Sequence, residues 1–489
     1  MKREVLPGFW PHPKSKKPGF LQFFGGVSMF LEKTRFLATP KIAKIKQRPT
    51  RKAIIVSDST IEQILKLASQ RADAAEVYYL SSQDTPIEFE NNRLKSLQTK
   101  ALQGVAIRLI YQGKIGFASS TDLTRIDDLV DAAIQTAEIG DPAEFELASN
   151  FHLKGPETTY TPPTTQELVE NGKNLIEQVH AYNPDIMVDV GFHVRSGRVK
   201  IATTQDLYAE RSSQIVSGSI AGNLVQGEDF MQAYSYDVAR DRPLDTNSIL
   251  QSLLEKYRLA EHSATITSGS YPVLFTPRAA ASTLGSLFDT ILSGQTVVQK
   301  ASPLADKIGE TLFDKRFTFF EDPTLGPSAC PFDDEGTPTT RKILIDKGTV
   351  TGFYWDRRWA ARAGVQSTGN GFRGGLSRPG PDLTNFCISP GNTATQDLIA
   401  SMDEGLIVEQ VLGAGQSNQL AGEFSVNLDL GYKVEKGKIV GRVKNTMVAG
   451  SIFEAFKNLA DLSSEAEWVG GAAYLPSMLF QQLGVASRQ

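Results

Sequence analysis

Between Gly104 and Ala118, apolar and polar residues alternate on either side of Tyr111-Gln112-Gly113-Lys114. This pattern restricts the fold more than any other feature of the chain. A strand period of two that reverses through a Gly-containing pair predicts a β-hairpin, because the tightest hairpin turns need left-handed backbone that glycine adopts without steric cost. Similar pairs occur at Ser196-Gly197, Lys347-Gly348 and Lys436-Gly437, the last between FSVNLDLGYKV and IVGRV. Successive hairpins build antiparallel sheets, so the expected class is α+β, with hairpin-rich antiparallel sheets and packed helices, and not a parallel doubly wound fold.

Helix starts are marked by capping residues. Ser59-x-x-Glu62, Thr164-x-x-Glu167, Thr393-x-x-Gln396 and Ser451-x-x-Glu454 each have the spacing of a capping box. Further helices are expected over residues 124–139 and about 247–262. TPRAAASTLGSLFDTILSG (residues 276–294) has Thr276 at the cap, Pro277 at the first helical position and Gly294 as its stop. Residues 141–165 hold four prolines with little periodicity and read as a linker. A second break lies at residues 263–272. The expected organisation is a leader over 1–52, domains over 53–145 and 146–262, and a C-terminal domain over 263–489.

A chain of 489 residues exceeds one core, so two to three domains follow. The net charge of −4 conceals an asymmetry: residues 1–52 hold 13 Lys/Arg against 2 acids, and the remainder 38 against 53, a net of −15. An acidic body argues against nucleic-acid binding, which needs clustered cations. No apolar run approaches the roughly 20 residues that span a bilayer, so no membrane partner is expected. The leader contains a 12-residue apolar stretch, Phe20 to Leu31, without a clean cleavage site after it. It is read as a disordered or mis-called start, with Met29 as the alternative start and targeting left open. Cys330 and Cys387 are too few for a disulfide framework or a cysteine zinc cage, and read as buried thiols of a cytoplasmic protein.

Metal binding needs several convergent ligands. The five histidines are His12, His152, His180, His193 and His262, and no two lie within a helical turn of each other. His180 and His193, with Glu177 and Asp189, form the nearest approach to a ligand set. No G-x-S-x-G elbow, S-x-x-K pair or P-loop occurs, so a nucleophile would have to be assembled from scattered residues. Two clusters remain. Asp333-Asp334-Glu335 beside Gly336 reads as a cation or peptide-amine site, or as a solvated acidic turn. Ser367, Thr368, Gly369, Asn370 and Arg373 belong to a donor-rich loop that would offer backbone groups to a bound strand, or serve as a tight structural loop.

PFDDEGTPTTRKILIDKGTVTGFYWDRRWAARAGVQSTGNGFR (331–373) resembles the C-terminal domain of the TldD/PmbA family, and FENNRLKSLQTKALQGVAIRLIYQGKIGFASSTDL (89–123) is similar to its first domain. The resemblance covers most of residues 70–487. It implies a metallopeptidase assembly in which a zinc-bearing TldD-like subunit pairs with a TldE/PmbA-like one around unfolded peptides. Leader segments of peptide antibiotics and a small antitoxin are among the family's substrates, and "modulator of DNA gyrase" is its older label. The TldD branch carries H-E-x-x-x-H on the helix matched by residues 276–294. Its histidines and glutamate fall here on Gly285, Ser286 and Thr290, and its C-terminal cysteine on Gly470. The resemblance therefore implies the TldE/PmbA branch: no zinc or other cofactor in this chain, zinc in a TldD-like partner, and peptide docking here. The alternatives are a self-sufficient hydrolase with a relocated site and a peptide-binding homo-oligomer.

Overall fold

A computed structural model describes residues 58–157 and 159–488. The basic leader lies outside them. Their first sheet contains eight strands: β1 (Ala74–Glu90), β2 (Arg93–Leu97), β3 (Lys100–Tyr111), β4 (Lys114–Ser120), β5 (Phe151–Lys154), β6 (Met187–Thr203), β7 (Leu207–Gln226) and β8 (Asp229–Arg240). The order is β4-β3-β1-β6-β7-β5, with β2 on β1 and β8 on β7. Strands from both sides of residue 145 thus share one sheet. The second sheet has eleven strands, from β9 (Gly269–Phe275) to Ala473–Ser487.

The β3–β4 turn places Gln112 at φ 51° and Gly113 at φ 71°, the left-handed pair that matches the twist of two antiparallel strands. Lys347-Gly348 and Lys436-Gly437 repeat it, at 46° and 79° and at 49° and 72°. Ser196-Gly197 does not turn. Strand β6 runs straight through it for 17 residues, because β1 and β7 pair with it on both sides there and leave no free edge around which to fold back. The stretch 141–165 also departs from the linker reading: β5 lies inside it and pairs parallel with β7. Two other parallel pairings occur, Glu404–Leu412 with β9 and Phe386–Ile388 with Ala473–Ser487, within sheets otherwise antiparallel.

One face of the first sheet is apolar. Helices α1 (Asp58–Ser69) and α2 (Ile126–Glu138) cover Ala75, Val77, Tyr79, Val105 and Ile107. Helices α3 (Thr165–Tyr182) and α4 (Thr246–Leu259) cover Ile87, Phe89, Val190 and Phe192. Thr164 forms the expected capping box with Glu167. Ser451 caps its short helix through the Phe453 N–H. Ser59 instead lies within the first turn of α1, and Thr393 donates to Asp461 at 2.6 Å, so neither caps a helix.

Helix α5 (Pro277–Leu292) is the hub of the second core. Thr276 caps it and Pro277 opens it, while Ser293 is the terminal residue in place of Gly294. Gly294 answers a different need: a Cβ there would lie 2.0 Å from the Trp355 ring. Leu284, Leu287, Phe288, Ile291 and Leu292 are buried, and the Phe288 ring meets Phe456, Phe317 and Phe319 at centroid distances of 5.1–5.3 Å. The two sheets are joined beside β8. Gln410 accepts from Tyr234 N at 3.0 Å and donates to Gln232 O, and Lys256 donates to Tyr234 O at 2.7 Å. Side chains thereby satisfy backbone groups that an edge strand would otherwise expose.

Candidate functional site: helix α5 and a buried charge network

Of the four positions that the resemblance matches to a TldD-type site, the fold brings three into one neighbourhood. Gly285 is buried under Phe386, and a Cβ on it would sit 2.7 Å from the Phe386 ring. That ring stacks on Phe319 at 5.9 Å, and Phe386 N donates to Ala472 O, two residues past Gly470. Ser286 follows Gly285 on the same helix. Thr290, the fourth, turns elsewhere and donates to Gln419 at 3.1 Å. Two glycines, a serine and a threonine supply no imidazole, thiolate or carboxylate, and an aromatic ring fills the space over the first of them. These residues do not fit zinc. Among the described residues, no group of three or more His, Cys, Asp or Glu side chains converges as a metal site. His180 bonds the Ile186 carbonyl and His193 bonds Asp84, so the two histidines serve separate contacts.

The two candidate clusters, by contrast, meet. Asp334 N donates to Gly371 O and Gly371 N to Asp333 Oδ2, both at 2.8 Å, while Arg373 N donates to Asp334 Oδ2 at 2.9 Å. The acidic turn is not solvated: Asp333 and Glu335 are fully buried and Asp334 nearly so. Arg108 of β3 forks between Glu335 (2.6 Å) and Glu76 of β1 (2.7 Å). Arg373 also pairs with Glu76, and Arg211 of β7 pairs with Asp334 at 2.6 Å. Three guanidiniums thus neutralise three carboxylates where the 331–373 segment seats on the first sheet. Burial corrects both readings of Asp333, Asp334 and Glu335, because donors of the chain already occupy their oxygens and leave no grip for a cation or amine. Ser367, Thr368, Gly369 and Asn370 are likewise engaged internally. Ser367 and Thr368 bond Trp355 O, Gly369 N donates to Ser367, and Asn370 donates to Glu321 and to Asp382 O. Arg373 has no exposed side-chain surface.

Sequence reasoning missed the partners of this network, Glu76, Arg108 and Arg211. A signal existed for two of them: Glu76 in AAEVYYL and Arg108 in GVAIRLIY are lone charges inside apolar strand runs. A buried charge needs a partner.

Charge balance sets the titration. Burial alone would raise Glu76, but the Arg108 and Arg373 guanidiniums override it and hold the carboxyl below its ordinary value. Asp333 has no such cation. Burial and the Glu335 charge push it up to about 8, against three backbone N–H donors. The same two causes push Asp356, the cap of the short helix Arg357–Ala363, up to about 7. A carboxyl whose folded value exceeds its unfolded one binds more protons when folded, so stability falls as pH rises through that window. Between pH 6 and 8 the loss from Asp356 is on the order of 1 kcal/mol. Urea midpoints measured from pH 6 to 9 should decline. Asp356→Asn, which retains the helix cap, should flatten the decline; an unchanged slope in that variant would refute the assignment.

The fold and this site define a class, an α+β protein of two mainly antiparallel sheets whose contact is sealed by a buried charge network. The PmbA/TldA metallopeptidase C-terminal domain matches residues 268–487, and domain 1 of the same family matches 75–137. The chain belongs to the TldD/PmbA family. It is 24% identical to metalloprotease PmbA of Escherichia coli O157:H7, over 86% of this chain and 95% of that one. It is also 24% identical to the metalloprotease TldD homologue of Haemophilus influenzae, over 84% and 90%. Its fold is that of TldE from Thermococcus kodakarensis (TM-score 0.78, 24% identity, 88% of this chain and 100% of that one). A putative modulator of DNA gyrase from Thermotoga maritima is equally similar (TM-score 0.80, 24% identity, 88% and 100%).

Proposed function

We propose that this chain is the TldE/PmbA-like subunit of a cytoplasmic TldD/TldE-type metallopeptidase that degrades or processes unfolded peptides. Its TldD-like partner holds the zinc, and this chain contributes the wall of the cavity and the docking of the peptide. The observation that supports the reading is that the positions matched to the enzyme branch's ligands and base are Gly285, Ser286, Thr290 and Gly470, the first three on a helix whose packing is intact, with Phe386 packed over Gly285. A scaffold kept without its metal suits a protein that shapes a site completed by another chain. The carboxylates of Asp333–Glu335 are engaged by donors of the chain, whereas half-buried Ser367 and Thr368 bind the chain through their side-chain hydroxyls.

The test is a paired purification, this chain alone and co-expressed with a TldD-like paralogue carrying H-E-x-x-x-H. Zinc content and cleavage of an unfolded peptide are then measured in each. Zinc and chelator-sensitive cleavage should appear only in the co-purified complex. Zinc-dependent cleavage by the lone chain, or failure of the two chains to associate, would overturn the reading.

A further inference from the structure

The first sheet has a second face, opposite its helices, and part of it is polar and half-buried. In the register of β1, β6 and β7, Asp84 stands opposite Arg195, and His193 directly opposite Ser217. Their neighbours Phe192 and Val216 are buried on the helix side, so His193 and Ser217 point the other way. The His193 Nδ1 lies 3.1 Å from Asp84 Oδ1, and Arg195 Nε lies 3.5 Å from the same oxygen. A proton on Nδ1 donated to Asp84 is the arrangement in which Nε2 becomes the ring's acceptor. Directly opposed strand residues have Cβ atoms about 4.5–5.5 Å apart, which makes Ser217 the cross-strand neighbour of the imidazole. No hydrogen bond joins Ser217 Oγ to His193 Nε2, and among the described residues neither atom has a hydrogen-bond partner, so both are free to engage a substrate. The same row continues to Val238 of β8, which packs on Gly471 beside Gly470.

We propose that Ser217, His193 and Asp84 form a metal-independent acyl-transfer site of this chain, acting on carboxylic esters. Ser217 Oγ bonds to the acyl carbon while its proton passes to His193 Nε2, and the carbonyl π pair moves onto oxygen. Collapse of that intermediate breaks the bond to the alkoxide, which leaves with the proton from Nε2. Water then attacks the Ser217 ester, gives a proton to Nε2, and releases the acid as Oγ takes that proton back. Ester and water become acid and alcohol, and the chain is unchanged. Asp84 is a positioning residue. The nucleophile and base come from consecutive strands and Asp84 from 109 residues away, a set that no local motif encodes. The proposal does not depend on the partner-subunit reading, since it concerns the lone chain with chelator present.

The full chain, purified alone and held in EDTA, is treated with a fluorophosphonate probe and mapped by mass spectrometry. Turnover of p-nitrophenyl acetate is followed in parallel. The adduct should form on Ser217 in folded protein and not after denaturation. His193→Ala should slow it by at least ~100-fold and Asp84→Asn by at least ~10-fold, with unchanged circular dichroism. Ser217→Ala should remove the acyl-enzyme burst. Absence of an adduct on Ser217 in the unaltered chain overturns the proposal without reference to any variant. So does labelling that ignores His193, or a burst that survives in Ser217→Ala, which would place the chemistry on the imidazole.

Discussion

Replacing Arg108 by alanine should cost this protein about 3–5 kcal/mol, because it leaves buried carboxylates without their counter-charge. Arg108 is nearly inaccessible and bridges Glu76 and Glu335, both fully buried. After its loss Glu76 keeps Arg373, but Glu335 keeps only the backbone N–H of Arg357 at 2.8 Å. The two carboxylates come from different sheets' territories, Glu76 from β1 and Glu335 from the segment that docks on it, so the cost falls on their seam. Arg108→Lys should restore little. One ammonium cannot reproduce the two-pronged geometry that reaches both acids, nor the guanidinium's stacking 5.1 Å over Phe145. Urea unfolding and limited proteolysis report the effect, with cleavage expected near residues 323–330 and 374–380 as the docked segment loosens. A midpoint within ~1 kcal/mol of the unaltered protein would show that the network contributes no net stability, the outcome that buried ion pairs replaced by apolar groups sometimes give.

Glu335 lies 227 residues from Arg108, and Arg373 lies 297 from Glu76. That separation explains which features the sequence made legible. The hairpins at Gln112-Gly113, Lys347-Gly348 and Lys436-Gly437 are local facts, since a left-handed pair selects its residues within a few positions. The caps of α3 and α5 are local too. Ser196-Gly197 has the composition of a turn, yet its conformation is decided by two neighbouring strands, one of them more than 100 residues away. The acidic run 333–335 looks like solvated surface for the same reason: the guanidiniums that make its burial tolerable belong to the other sheet. That residues 285, 286 and 290 are Gly, Ser and Thr is legible because it is a matter of residue identity. The ring packed over Gly285 is not, because Phe386 reaches it from about 100 residues downstream.

The position of Phe386 sets the second large effect. Gly285→His, taken alone or with Ser286→Glu and Thr290→His, should not create a zinc site. A Cβ at residue 285 would be 2.7 Å from Phe386 Cζ and 3.2 Å from Cε1, and the ring is held from behind by its stack on Phe319. A full imidazole must displace the ring, at ~1–3 kcal/mol for overpacking a filled core. Thr290 points toward Gln419, so a histidine there would start from the wrong rotamer for a shared ligand point. Phe386→Ala opens the space but leaves a cavity, which alone costs ~3–5 kcal/mol. The double variant Gly285→His/Phe386→Ala should therefore be more stable than the sum of its single effects, with a favourable coupling of ~1 kcal/mol or more. Thermal melts of the four proteins of this cycle, and metal analysis of them and of the Gly285→His/Ser286→Glu/Thr290→His triple variant, decide the matter. Additive effects would mean that the ring does not guard Gly285. Stoichiometric zinc in the triple variant, with Phe386 still in place, would mean that the helix has kept a metal-ready geometry beneath its altered side chains.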